Sequence, residues 1–375
     1  MMPITAYSKT FKRELDASQL ESLFNEHPIS NEIAFRDFVK VDIECPACNV
    51  TGGHYVREGI SLTKGHKVKQ AYFAFRDIEG NDSHQPFCDF YTGPGKQNLI
   101  SNEGRIDFRK SNSLITRTIA RMVCNGIAKE VFTQESIRNM RQWFLDLRQN
   151  GDFTFNLNPH MVGISRASIF RSERNNTQYI VDPIASKNEW FDIDKEVYQS
   201  LYFKFPFLKL DYQKNNHLYD IRLQSVIKKA KSIILKDSNI ITFDRAILKE
   251  KYEQATQFSL YIRSQEPILK TNLTYSISAV RNNNHLMALS ALLLFISEWD
   301  STLAQEKVNL LLQNDSAIDL NAGNVIGLNP FIHYSAWIII KELNSLQKLY
   351  GQHIDFDDEF NSEKARLSKL YNISI

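Results

Sequence analysis

Three of the four cysteines in this chain lie between residues 45 and 88. Cys45 and Cys48 belong to the run CPAC; His84 and Cys88 belong to HQPFC, further along the same stretch. Thiolate sulfur and imidazole nitrogen are the donors that a zinc ion prefers in a tetrahedral shell. A Cys-x-x-Cys pair at the end of a strand offers two sulfurs from one tight turn. A His and a Cys four residues apart can add two more ligands from a second turn. Cys45, Cys48, His84 and Cys88 would then complete a Cys3His shell with no position left for water. Such a closed site is structural, and metal binding becomes part of the folding energy of the module that carries it. His54 and His66 are spare imidazoles, and either could stand in for His84. The competing reading is a redox pair, which normally caps a helix after a strand; here the residues after Cys48 are Gly-rich and strand-like.

A second set of residues suits anions. Between Gly104 and Asn150 nine Lys or Arg stand against four Asp or Glu. Arg105, Arg109 and Lys110 precede a helix expected from about Ser113, and Arg117 and Arg121 lie one turn apart on its polar side. Cations around a helix start, with its unpaired N–H groups, suit phosphate oxygens, and Phe108 could stack on a base. The bland alternative is a solvated face whose arginines pair with acids elsewhere. The apolar stripe of that helix is Leu114, Ile115, Ile119, Met122, Val123 and Ile127. The fourth cysteine, Cys124, lies on the side of Arg117 and Arg121 and reads best as a neutral packed thiol. A second basic stretch, Lys204 to Lys236, has eight cations against two acids, whereas Ser297 to Glu363 has three against eleven.

No familiar catalytic signature is present. The chain lacks GxxxxGK, GxGxxG, GxSxG and HExxH. A metal-dependent nuclease of the restriction type needs an (Asp/Glu)-x-Lys pair at a strand end, so that carboxylates hold Mg2+ beside a lysine; none occurs. Asp182, Asp192, Asp194 and Lys195 come nearest, at the wrong spacing. Asp244 reads as a helix N-cap.

The elements that must position these groups follow from pattern. At 375 residues, 43% apolar and 23% charged, with 24 Phe and 15 Tyr, the chain is an ordinary folded protein too long for one compact core. We expect an α+β fold in three parts. Residues 1–98 form a small zinc-bound, β-rich N-terminal module, 99–245 a mixed and basic middle region, and 246–375 a mainly helical part. Asp16 should cap a helix in DASQLESLF; VDIECPAC, GHYVREGISL and VKQAYFAF read as short strands. Thr133–Gln149 should be a helix. DFTFNLN, TQYIVDP and SLYFKFPFLKL look strand-like. Helices are expected at 218–235, 246–264, 284–299, 302–313, 332–349 and 359–371. The most apolar run, Leu286 to Trp299, is too short to span a bilayer and predicts a buried helix. The first residues have no signal-peptide pattern, so we expect a cytoplasmic protein with reduced thiols and no membrane association. A composition rich in Asn, Ile and Lys suggests a bacterial or phage source.

CPAC, then YFAF, then HQPFC resembles the N-terminal zinc-binding module of the competence-associated CoiA-like proteins. In those proteins a CPxC pair is followed by an FAH stretch and another His or Cys. The likeness covers about 45 residues, and Phe75 stands where the family has histidine, so His84 would have to supply that ligand. In that family the module precedes a nuclease domain, which implies DNA processing. Together these readings predict a protein with one structural Zn2+ that binds nucleic acid, DNA before RNA, in DNA processing or defence. The alternatives are a metal-dependent nuclease with a diverged centre, and a non-enzymatic adaptor or effector that binds protein. In any of these, the acidic helical C-terminal part could contact a protein partner or a second copy.

Overall fold

The computed structural model describes residues 3–46, 48–60, 67–69, 71–84, 88, 90–92, 105–107, 113–149, 151–171, 178–182, 184–313 and 326–373. Residues 1–151 and 247–332 make one compact unit; 152–246 and 333–375 make another. The chain therefore leaves the first unit and returns to it, which differs from the linear division at 98 and 245 expected above. The fold is α+β and mostly helical, with few and short strands.

The first unit begins with a hairpin that the sequence reading did not anticipate. Thr5–Ser8 pairs antiparallel with Arg13–Asp16 and, on its other edge, with Ile43–Glu44. Lys12 takes the left-handed backbone (φ 51°) that the tight turn requires. Asp16 ends the second strand and caps the helix Ala17–Glu26, as expected. Its side chain accepts from Gln19 N, and the Gln19 side chain reaches back to Asp16 N, a reciprocal capping box. Ala17, Leu20 and Phe24 then fall on one buried face. The next helix, Phe35–Asp42, buries Phe38 and Val39. Phe24 meets Phe38 at 5.0 Å and Phe35 at 5.4 Å between ring centres. This aromatic core runs from Ala6 to Phe90 and includes Cys45, Cys48 and Cys88.

A second ladder joins Gly53–Val56 to Tyr72–Phe75, with Gly53 opposite Phe75. Gly53 is required by space: a Cβ there would lie 2.4 Å from Ile43 Cδ1 and 2.9 Å from the Phe75 ring. The helical part of this unit includes Leu114–Ala128, Gln134–Gln149, Lys249–Gln265, Asn284–Phe295 and Ser301–Leu312. Asn284–Phe295 is buried from Leu286 through Leu294, as its sequence demanded. Among the described residues no helix is long and apolar enough to cross a membrane. A buried ion pair, Arg141 Nη1 to Glu14 Oε2 at 2.6 Å, joins Gln134–Gln149 to the N-terminal hairpin.

The second unit packs His160–Arg171, Ile193–Lys204, Gln224–Asp237, Tyr334–Tyr350 and Phe356–Tyr371 around a two-residue ladder, Asp152–Phe153 with Thr242–Phe243. Here the strand-like runs require correction. SLYFKFPFLKL is the end of the helix Ile193–Lys204 followed by a 3-10 turn, Pro206–Leu208. Val197 and Leu201, one turn apart, are both buried and set the helical period that the aromatic residues masked. The described part of TQYIVDP, residues 178–182, forms no strand, and the helix His160–Arg171 was not foreseen.

Candidate metal centre and basic helix

Cys45 directly follows the strand Ile43–Glu44. Its N–H donates to Val50 O at 2.8 Å, and Asn49 N donates back to Cys45 O at 3.0 Å. Asn49, at φ 62°, reverses the chain, and Glu44 bridges Thr51 beyond it. This tight loop brings Cys48 beneath Cys45. The second loop grows from the strand Tyr72–Phe75, where Ser83 N donates to Phe75 O. Asp82 then organises the ligands that follow. One carboxylate oxygen accepts from His84 N at 2.9 Å, and the other accepts from Thr92 Oγ1 at 2.6 Å, so His84 and Thr92 are tied to one carboxylate. Cys88 Sγ accepts from Phe90 N at 3.4 Å. The His84 ring lies against Phe75 and Phe90.

The four side chains converge. Cys45 and Cys88 sulfurs are 3.8 Å apart; His84 Nδ1 is 3.4 Å from Cys48 Sγ and 3.6 Å from Cys88 Sγ. One ligand atom from each of the four lies within 4.8 Å of every other, and all four residues are buried. A disulfide would bring sulfurs to about 2.05 Å, so these are separate thiols. A tetrahedron with metal–sulfur bonds of about 2.3 Å and a metal–nitrogen bond of about 2.05 Å has edges of about 3.8 Å and 3.5 Å. The Cys45–Cys88, Cys48–His84 and Cys88–His84 edges match those values, so the group could hold a metal ion such as zinc. Burial pushes the Cys45 thiol well up, with hydrogen bonds to Cys48 and Cys88 adding to it, and burial likewise raises Cys88. Only a cation at the centre would make thiolates stable there.

His54 is exposed on the strand Gly53–Val56 and outside the group; His66 lies outside the described residues. Sequence reading missed Asp82 and Thr92. An Asp two residues before a ligand histidine is a recognisable Asx-turn signal, whereas its pairing with Thr92 needs the fold.

The basic residues are less united. Arg117 is exposed on the first turns of Leu114–Ala128. Arg121 is partly committed: its Nη2 lies 3.3 Å from Glu266 Oε1, and Glu266 is 96% buried while its other oxygen caps Leu269 N. Arg105 sits on the strand Arg105–Asp107, opposite Leu328. Arg109, Lys110 and Phe108 lie outside the described residues. The stripe on Leu114–Ala128 also needs correction. Leu114 is 51% exposed, and the buried face is centred on Thr118, Ile119, Met122, Val123 and Asn125. Asn125 turns inward because its amide donates to Leu311 O at 2.9 Å. Cys124 is buried as a packed thiol.

The acids considered for a nuclease centre have other roles. Asp192 caps Ile193–Lys204 and pairs with Lys195 at 3.3 Å; Asp194 pairs with Lys364 at 2.8 Å. Asp182 accepts from Ile184 N at 3.0 Å. Asp244 accepts from Ala246 N at 2.9 Å and also pairs with Lys341. Comparison of the chain with protein-family models, with curated proteins and with solved structures finds no match.

Proposed function

We propose that Cys45, Cys48, His84 and Cys88 hold one structural zinc ion, and that the module they staple belongs to a nucleic-acid-binding protein, with DNA preferred over RNA. The observation that carries the zinc assignment is the convergence of three buried sulfurs and one His84 ring nitrogen within 4.8 Å of one another. Borderline-soft zinc suits three sulfurs and one nitrogen, whereas magnesium and calcium take oxygen. A closed shell leaves no coordination position for a reacting water, so the metal acts by holding two loops together. Metal analysis of the purified protein should give one zinc per chain, and trace zinc only would overturn the assignment.

Nucleic-acid binding is supported by the basic balance of residues 104–150 and by the exposure of Arg117. Arg121 contributes less, because part of its charge is spent on Glu266. The test is a polarisation titration of zinc-loaded protein with labelled single-stranded DNA, duplex DNA and RNA at two salt concentrations. Binding that weakens steeply with salt is expected, since each phosphate contact releases counterions. Absence of binding to all three probes would reject this reading and leave the zinc as a staple in a protein-binding module. Probes cut in the presence of Mg2+ would replace it with a nuclease.

A further inference from the structure

The second unit contains a cluster that no motif announces. His160 stands at the start of His160–Arg171, Tyr198 on Ile193–Lys204, Lys231 on Gln224–Asp237, and Asp357 on Phe356–Tyr371. Lys231 Nζ donates to the Tyr198 hydroxyl at 3.0 Å, and that hydroxyl meets His160 Nδ1 at 3.0 Å. With Lys231 donating, the phenolic hydrogen goes to Nδ1, which puts the ring proton on Nε2, 3.4 Å from Asp357 Oδ1. Four groups from four helices thus form one donor-to-acceptor chain. Space is made for it: a Cβ on Gly163 would lie 2.4 Å from the Tyr198 ring, so only glycine admits the phenol here. The His160 ring is held by stacking on Phe360, 3.9 Å between centres and 16° from parallel.

Lys231 is the unusual member. Its ammonium lies 4.8 Å over the Tyr198 ring, it is half-buried, and among the described residues no carboxylate is within ion-pair distance of it. Arg166 adds a second positive charge nearby, while Asp194 attracts the ammonium from further off and is itself paired with Lys364. Burial lowers Lys231, and Arg166 adds to that; burial also lowers His160 and raises Tyr198. All three groups are therefore biased toward their neutral forms. A half-buried lysine beside another cation is the environment that makes an amine nucleophilic near neutral pH.

We infer that Lys231 forms an imine with a small carbonyl compound, with Tyr198 as proton shuttle and His160 behind it. The Lys231 lone pair forms the C–N bond as the carbonyl π pair moves to oxygen. Tyr198 gives that oxygen its proton and recovers one from the nitrogen. Its second transfer turns the hydroxyl into water as the C–O bond breaks and C=N forms, and the remaining nitrogen proton then returns to the phenolate. Both protons lost by nitrogen leave with the oxygen, and no oxidant or reductant is consumed.

The test uses the full chain, pyridoxal 5′-phosphate as an anionic aldehyde, and borohydride to fix any imine before peptide mass spectrometry. Lys228 and Lys236, exposed on the same helix, are internal references. Lys231 should be labelled well ahead of both at neutral pH. Tyr198→Phe, which keeps the ring, should slow labelling of Lys231 about 100-fold, the lower end of the ~10²–10⁴-fold that a positioned proton donor contributes, and leave Lys228 unchanged. Labelling of Lys231 no faster than Lys228 or Lys236 in the unmodified protein would overturn the inference, and that outcome needs no variant to fold. Unchanged Lys231 labelling in folded Tyr198→Phe would remove the shuttle.

Discussion

The Cys45–Cys48–His84–Cys88 group and the His160–Tyr198–Lys231 group answer burial in opposite ways. In the first, burial raises the Cys45 and Cys88 thiols, and a cation beside them would make their thiolate forms favourable. In the second, burial lowers a lysine and a histidine and raises a tyrosine, and the neutral forms satisfy one another by passing hydrogen bonds along a line. A cluster whose members all want the same missing charge is a place for an ion. One whose members supply each other's donors and acceptors is a place to move protons.

Breaking the first group should have the largest effect. Cys88→Ser, or removal of metal with a strong chelator, should cost several kcal/mol, bounded by the ~10–16 kcal/mol with which zinc stabilises small metal-dependent folds. Thermal unfolding with metal analysis would show it as an early loss of the 6–90 core. The pH dependence should then reverse between forms. In the metal-free fold the thiols are raised above their unfolded value, so their contribution is complete at low pH and is lost as pH rises past the ordinary thiol value of about 8.5. In the metal-bound fold thiolates are required, so stability is lost as pH falls. Unfolding curves of the two forms across pH 6–10 should therefore diverge.

Two glycines test each group through packing alone. Gly53→Ala forces a methyl onto Ile43 and Phe75, and Gly163→Ala forces one onto Tyr198. Each should cost about 1–3 kcal/mol. Gly53→Ala should loosen metal and leave Lys231 labelling alone; Gly163→Ala should do the reverse. Asp82→Ala removes the clamp on His84 and Thr92 and should weaken metal affinity about 10–100-fold, as loss of an outer-shell partner does; competition with a chromogenic chelator measures it. The smallest effect on stability should come from Arg117→Gln, within about 0.5 kcal/mol for an exposed site. It should nonetheless reduce the salt dependence of nucleic-acid binding by about one counterion.

What could be read without coordinates depended on how far apart the participants lie. Cys45 and Cys48 lie three positions apart and His84 and Cys88 four, so residue type and spacing sufficed to single out all four. The Asp16 cap was legible for the same reason: its partner is Gln19. Lys231, Tyr198 and His160 drew no joint reading, because nothing local links residues 33 and 38 positions apart. Arg121 was read as an anion contact, yet its partner Glu266 lies 145 residues away. The hairpin Thr5–Ser8 with Arg13–Asp16 escaped notice because TAYS is buried throughout and shows no alternation. The strand assignment for SLYFK failed because aromatic side chains favour strands only as a tendency, and burial of Val197 and Leu201 overrode it.

The interleaved first unit imposes an order on synthesis. Residues 1–151 emerge complete, but the strand Ile326–Leu328 that pairs with Arg105–Asp107 and the Glu266 that neutralises Arg121 follow only after the whole 152–246 segment. At ~5–20 residues per second that segment alone takes on the order of 5–20 s, and these partners emerge later still, long compared with the microseconds in which helices form. The nascent chain must hold an unfinished helical surface through that interval, with Met122 and Val123 lacking part of their cover. The hydrophobic members of the 6–90 core all come from that stretch itself, and the buried Arg141–Glu14 pair reaches it from no further than residue 141. That core is the piece that can be finished first, and free metal at the ribosome would set how much of the early chain is already protected while the rest is awaited.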